Sequence, residues 1–222
     1  PTQYDNVYFD QAGTYTVTLS AAVGTSISCK DWVVSAGTVT FSGTPNGWSI
    51  YGSINLKAGT VCSFTITSGN FILYGTSGVN NTIQTNGVTF PNAGFNFAGP
   101  NANYTLLGAV TIYGFSIGSS GPTINLNGYT LTITYPGTLI INTCTLNFGI
   151  GGSIVLAGSG ANWYAFGTPT VSGTGTISFT GLTPTFTGGS KSYTGVTLSY
   201  GRASSTLTIA GSNTFDTITN TT

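Results

Sequence analysis

The sequence predicts an all-β chain wound as a parallel β-helix, a β-solenoid of about 20 short strands with roughly 22 residues per coil. Three observations carry this expectation. First, residues 108–160 repeat one unit: apolar, any residue, apolar, then soon a glycine. The pairs are Val110/Ile112, Phe115/Ile117, Ile124/Leu126, Leu131/Ile133, Leu139/Ile141, Leu146/Phe148 and Ile154/Leu156. A spacing of two puts both members on one face of a strand, and no window offers the i, i+3, i+4, i+7 stripe of a helix. Second, every third pair returns after about 21 to 24 residues, so three strands make one turn. Third, Thr, Ser, Asn and Gly fill most of the non-core positions, and only 4% of the chain is charged. Stacked like residues repel when charged, so uncharged ladders suit a solenoid. An antiparallel sandwich or jelly roll is the alternative, but its strands are usually longer and wetted by charged side chains.

Taken in order, residues 1–13 carry Asp5 and Asp10 and read as an irregular lead-in or cap, with a β-helical domain over 14–222. Alternation begins at Thr14, with Val17 and Leu19 facing one way and Thr14, Thr16 and Thr18 the other. Short strands follow around Ile27, at 32–34 and at 37–43, and Pro45-Asn46-Gly47 marks a turn. Further strands are expected at 47–56, 60–67, 70–75, 81–85 and 87–90. Residues 91–105, with two prolines among Asn and Gly, are expected to kink the stack or form a junction. After the regular stretch, Trp163, Tyr164 and Phe166 precede strands at 173–181, 184–188, 191–199 and 205–215. Asn125, Asn127, Asn142 and Asn147 are placed to form ladders at the corners.

Composition excludes several functions. Four basic and four acidic residues in 222 give no net charge, so there is no basic patch to neutralise phosphates, and nucleic acid is not an expected partner. No apolar run is long enough for a membrane-spanning helix. The chain starts at Pro1 with neither Met nor a basic-apolar leader, so it reads as a fragment or processed product. Low charge weakens protection against association, so a homo-oligomer or a place in a larger assembly is expected. Cys29, Cys62 and Cys144 read as buried thiols, with a Cys29–Cys62 disulfide the other option.

No catalytic, cofactor or metal site is expected. Histidine and glutamate are absent, which removes Ser–His–Asp and Cys–His chemistry. The carboxylates are Asp5, Asp10, Asp31 and Asp216, so the regular body supplies no acid pair for glycoside hydrolysis. Asp5-Asn6 and Asp10-Gln11 lack the spacing of a calcium loop, and the glycine runs lack the Lys-Ser/Thr of a phosphate loop. The aromatic residues are the better candidates. Trp48, Tyr51, Trp163 and Tyr164 are read as contacts for a glycan or partner, the other reading being that these rings fill the core or an interface. Thr-x-Thr runs at Thr14/Thr16/Thr18, Thr130/Thr132/Thr134 and Thr174/Thr176 are of the kind that order water in ice-binding solenoids, but they do not recur at one register along the chain. Asn80, Asn103 and Asn220 head sequons, which chance supplies in a chain rich in Asn and Thr.

The segments 128–134 (GYTLTIT), 173–181 (GTGTISFTG), 186–199 (FTGGSKSYTGVTLS) and 205–219 (STLTIAGSNTFDTIT) resemble the repetitive, low-charge β-structured virion proteins of tailed bacteriophages. The resemblance implies a tail fibre, tailspike, collar or head-decoration component on the particle surface. Its expected partners are other copies of the chain, a trimer above all, other virion proteins, and a host-surface polysaccharide. It brings no catalytic residue to this chain. The alternatives are a secreted or cell-surface bacterial adhesin with the same architecture, and a tailspike depolymerase with a site between subunits.

Overall fold

The computed structural model describes residues 1–19, 26–43, 47–65, 70–90, 94–118 and 121–221. Three turn positions set the trace. The first turn holds β1 (Val7–Phe9), β2 (Thr14–Leu19) and β3 (Ile27–Cys29); the second β4 (Trp32–Val34), β5 (Thr38–Gly43) and β6 (Gly47–Ile50); the third β7 (Ile54–Leu56), β8 (Val61–Phe64) and β9 (Asn70–Leu73). The fourth holds β10 (Asn80–Gln84), β11 (Thr89–Phe90) and β12 (Phe95–Phe97), and the fifth β13 (Asn103–Leu106), β14 (Val110–Ile112) and β15 (Phe115–Ile117). The sixth is β16 (Thr123–Asn125), β17 (Thr130–Ile133) and β18 (Thr138–Ile141). In the last turns one long strand serves two walls: β19 (Thr145–Leu156) with β20 (Asn162–Ala165), β21 (Thr170–Phe179) with β22 (Thr185–Thr187), and β23 (Ser192–Tyr200) with β24 (Thr208–Ala210). β25 (Thr214–Asn220) opens a further rung.

The expected β-solenoid is what forms, with about 9 turns roughly 23 residues apart. Named strands pair in parallel, and the described residues hold 25 strands and no helix, against the 20 or so expected. The sandwich alternative fails here, because its hairpins would need antiparallel ladders. Three walls result. The first runs from β1 through β4, β7, β10, β13 and β16 into the leading halves of β19, β21, β23 and β25. The second stacks β2, β5 and β8, then β11, β14, β17 and the trailing halves of the same long strands. The third runs from β3 through β6, β9, β12, β15, β18, β20 and β22 to β24. The second wall's ladder breaks between β8 and β11, although the rings of Phe64 and Phe90 still meet at 4.7 Å.

All fourteen members of the apolar pairs in 108–160 are buried. Their third-pair recurrence is the register itself: Val110 lies on Leu131 and Leu131 on Ile154, while Ile124 lies on Leu146. Burying such side chains contributes about 1.5–3 kcal/mol each, so the alternation fixes which face turns inward. β1 pairs with β4, so the first rung already begins inside the stretch expected to be a lead-in or cap. Within 94–105, β12 and β13 hold the ladder in register, so the described part of the expected 91–105 junction continues the stack; residues 91–93, the Pro45-Asn46 turn and the end of the strand expected at 60–67 lie outside the described residues.

The corner asparagines bond to backbone rather than to one another: Asn142 accepts from Thr143 N of its own turn, and Asn127 donates to the Leu106 carbonyl of the preceding turn. Asn125 and Asn147 do stack in register, but each amide oxygen accepts from its own turn, from Asn127 N and Gly149 N at 2.9 Å. Where the long strands bend from the first wall to the second, Gly149, Gly173 and Gly195 take φ of +70°, +83° and +84°. A Cβ at Gly173 would sit 2.6 Å from the Gly149 carbonyl oxygen, so both backbone angle and space demand glycine in this column.

The register corrects part of the expectation that the Thr-x-Thr runs do not recur at one register: Thr130 and Thr176 share a column, whereas Thr14, Thr16 and Thr18 stand on the far side of the ladder break and Thr174 pairs with Ile150. On the second wall Thr14, Thr16 and Thr18 lie on Thr38, Thr40 and Ser42. Further along, Thr130, Ser153, Thr176, Thr197 and Thr217 form one outward column. The loops between walls vary in length, so register partners are separated by 20 residues at Asn103/Thr123 and by 29 at Ile54/Ile83, which hides the columns from a fixed sequence period.

Candidate functional site

Four aromatic residues carried the sequence expectation of a contact site, and the structure divides them. Trp48 and Trp163 occupy the same inward column of the third wall. It runs from Ile27 through Trp48, Phe71 and Phe95 to Phe115, and through Leu139, Trp163 and Phe186 beyond. Trp48 is 3% exposed and Trp163 0%, so neither ring can stack on a sugar. This corrects the contact role for both: each begins an apolar-x-apolar pair, Trp48 with Ile50 and Trp163 with Ala165, and strand alternation drives such pairs inward.

Burial of an indole N–H requires a partner, and Trp163 has one. Its Nε1–H donates to Tyr193 Oη at 3.3 Å, and that hydroxyl donates to the Gly188 carbonyl at 3.0 Å. Burial pushes the Tyr193 phenol up to about 12. Trp48 packs face to face on Phe71 at 4.5 Å and on Trp32 at 6.1 Å. These rings are core cement.

Tyr51 and Tyr164 do face outward. Tyr51 is half-buried and stacks at 5.2 Å on Tyr74 of the next turn. Tyr164 is 42% exposed, lies in register on the exposed Ile140, and runs parallel to Phe166, itself 58% exposed. Ile140, Tyr164 and Phe166 thus form a small apolar patch on the third wall.

A groove of about 250 Å³ opens where the second wall turns into the third and reaches β18, the strand that carries Ile140 of that patch. Tyr113 follows β14 and Tyr135 follows β17, so consecutive turns present their rings side by side, 4.9 Å apart and inclined at 65°. Asn70, Asn96, Ser116 and Thr138 line the third-wall side. Asn70 Oδ1 accepts from Gly94 N at 3.2 Å, which fixes that amide at the groove edge. The floor is kept clear by Gly94, Gly114 and Gly137. A Cβ at Gly94 would stand 3.0 Å from the Gly114 carbonyl oxygen, and one at Gly137 would run into the Tyr135 ring. Ring faces, amides and hydroxyls around a groove without ionised groups suit a neutral polyhydroxylated ligand, which needs apolar stacking and many weak hydrogen bonds.

Sequence reasoning missed this groove, because it sought contacts at Trp48, Tyr51, Trp163 and Tyr164 and read 108–160 only for its apolar pairs. A signal existed: Tyr113-Gly114 and Tyr135-Pro136-Gly137 stand at the ends of two register-paired strands.

Elsewhere the titratable groups are scattered. Asp5 Oδ2 accepts from Thr2 N at 2.7 Å and from Thr2 Oγ1 at 2.9 Å, which holds its carboxyl below the usual range. Asp31 Oδ1 accepts from Ser53 N at 2.7 Å. Asp5, Asp10 and Asp31 belong to the first two turns and Asp216 to β25 at the other end of the stack. The cysteines are free: Cys29 points inward from the third wall and Cys62 from the second, so the Cys29–Cys62 bridge is not made. Burial pushes the thiols of Cys29 and Cys144 up to about 11 and about 12. Among the described residues no group of three His, Cys, Asp or Glu side chains could hold a metal ion.

Comparison with protein-family models, curated proteins and solved structures finds no match to this chain.

Proposed function

We propose that the protein is a rigid segment of an extracellular appendage, of the fibre or spike type found on tailed phage particles, which contacts a host-surface polysaccharide through the third wall. The observation that carries this reading is the Tyr113/Tyr135 groove with its rim of Asn70, Asn96, Ser116 and Thr138. Its neighbour, the Ile140, Tyr164 and Phe166 patch, extends the same wall. The low charge and the resemblance of residues 173–219 to phage virion proteins support the placement in an appendage. A solenoid suits that work, because each turn is held by its neighbours through backbone hydrogen bonds and apolar burial. In this reading the working oligomer is a trimer, and the third wall stays on its outside.

The test is polysaccharide binding by titration calorimetry and glycan arrays. Tyr135→Ala should weaken binding at least tenfold, the scale of about 1.4 kcal/mol. Gly114→Val, which adds bulk at the floor, should weaken it too. Trp163→Phe, a core change, should leave affinity intact wherever the variant is folded. Equal affinity in the parent and Tyr135→Ala refutes the groove. Release of reducing ends from the bound polysaccharide would replace this reading with the depolymerase. Light scattering that finds a monomer would remove the trimer, and a secretion locus around the gene would favour the adhesin.

A further inference from the structure

We propose that the outer surface of the second wall binds ice. This goes beyond the reading above and rests on a different wall. From the Gly152/Gly175 rung onward the outward residues of β17 and of the trailing parts of β19, β21, β23 and β25 are Thr or Ser, with Val155 the exception among those in ladder register; the exposed Ile150 sits at the bend before that uninterrupted ladder. One column is Thr130, Ser153, Thr176, Thr197 and Thr217; beside it a second runs from Thr89 and Thr111 through Thr132 and Val155 to Ser178, Ser199 and Thr219. Neither column contains a charged or aromatic side chain.

Two repeats follow from strand geometry. Neighbouring turns lie about 4.7–4.9 Å apart and residues two apart on a strand about 6.4–6.8 Å apart. These are close to the short and the long oxygen repeats on the prism plane of hexagonal ice. No register shift interrupts the wall between Gly152/Gly175 and Leu156/Phe179, nor between Gly175/Val196 and Phe179/Tyr200, so the array stays regular in both directions. The side chains are held as well. Threonine has few χ1 choices, and the Thr130 and Ser153 hydroxyls share a hydrogen bond at 2.8 Å. A hydroxyl has one donor and two acceptor sites, so lateral bonding leaves capacity for outward water. The methyl groups, with Val155, keep the intervening surface apolar. A charged group would instead hold a hydration shell of its own that fits no lattice. Crystalline water is thus the ligand whose order matches the wall's order. The groove site on the third wall has no such repeat.

Nanolitre osmometry and ice-affinity partitioning of the whole protein test the proposal. The parent should shape ice crystals, open a gap between melting and freezing points, and enrich in the ice fraction. Thr176→Lys, in the middle of the array, should reduce these effects to the level of serum albumin while circular dichroism stays unchanged. Thr197→Gln provides the same test through a neutral side chain should Thr176→Lys misfold. Thr123→Lys, outward on the first wall, should behave as the parent. A parent that leaves ice unshaped, or an equal loss in Thr123→Lys, overturns the proposal. So does a parent that ignores ice but pellets with crystalline cellulose or chitin in a manner abolished by Thr176→Lys.

Discussion

Replacing Trp163 by alanine separates a core role from a contact role. The ring is fully buried, stacked on Phe186 at 5.6 Å and 14°, and edge-on to Tyr193 at 6.2 Å. Truncating such a ring in a packed core costs about 3–5 kcal/mol, through lost transfer energy and the void left behind. The hydrogen bond adds little, because Tyr193 Oη keeps its bond to the Gly188 carbonyl. At about 2–4 °C per kcal/mol for a chain of this size, the melting temperature should fall by roughly 6–20 °C. Trp163→Phe keeps the stack on Phe186 and should cost about 1–2 kcal/mol, chiefly from a smaller void. Because each turn touches only its neighbours, the loss is local. Hydrogen exchange should therefore show reduced protection in β18, β20 and β22, with β4 to β9 unaffected. The assay pairs urea unfolding with exchange and polysaccharide binding. A cost below about 1 kcal/mol, within the range of surface substitutions, together with lost polysaccharide binding would place Trp163 outside and refute the inward column.

Tyr104→Phe should cost about 1–3 kcal/mol, because the buried hydroxyl donates to the Leu73 carbonyl and accepts from Gly75 N, both at 2.7 Å; an unchanged melting temperature would sink that account. Stability should also fall in base. Burial raises the folded-state values of Cys29 to about 11 and of Cys144 and Tyr193 to about 12, so the folded chain holds these protons more tightly than the unfolded one. Their contribution is full below the ordinary thiol value of 9.0 and is lost as pH rises through 11 to 12. Urea midpoints at pH 7 and pH 11 check this, and equal midpoints refute it. On the acid side Asp5, held low by Thr2, loses its contribution as pH falls through its folded value, and its full exposure keeps that effect small.

Much of the fold was legible because alternation and recurrence are local and simple. The pairs from Val110/Ile112 to Ile154/Leu156 could be read directly, since each strand is short and each inward residue apolar. What failed was reading role from residue type. Tryptophan is amphipathic, so its identity does not say whether it faces in or out. The pairings Trp48-x-Ile50 and Trp163-x-Ala165 did say so, by the same rule that placed Leu139-x-Ile141. The hydroxyl columns were hidden for another reason. Their partners are set by hydrogen-bonded register, and loops of different length move that register along the sequence. The groove needed three dimensions, since Tyr113 and Asn70 line it from different walls and different turns.

The parallel ladders also determine how the molecule meets force. Their hydrogen bonds point along the stack, from each turn to the next, so a pull between the two ends loads them in series. One turn then yields at a time. Each yielding turn exchanges about 4.8 Å of stack for roughly 76–83 Å of extended chain, at 3.3–3.6 Å for each of its 23 or so residues. Compression meets close-packed rings instead, and a sideways push meets covalent backbone running around each turn. The same architecture is thus a stiff strut under pushing loads and a long, stepwise absorber under tension.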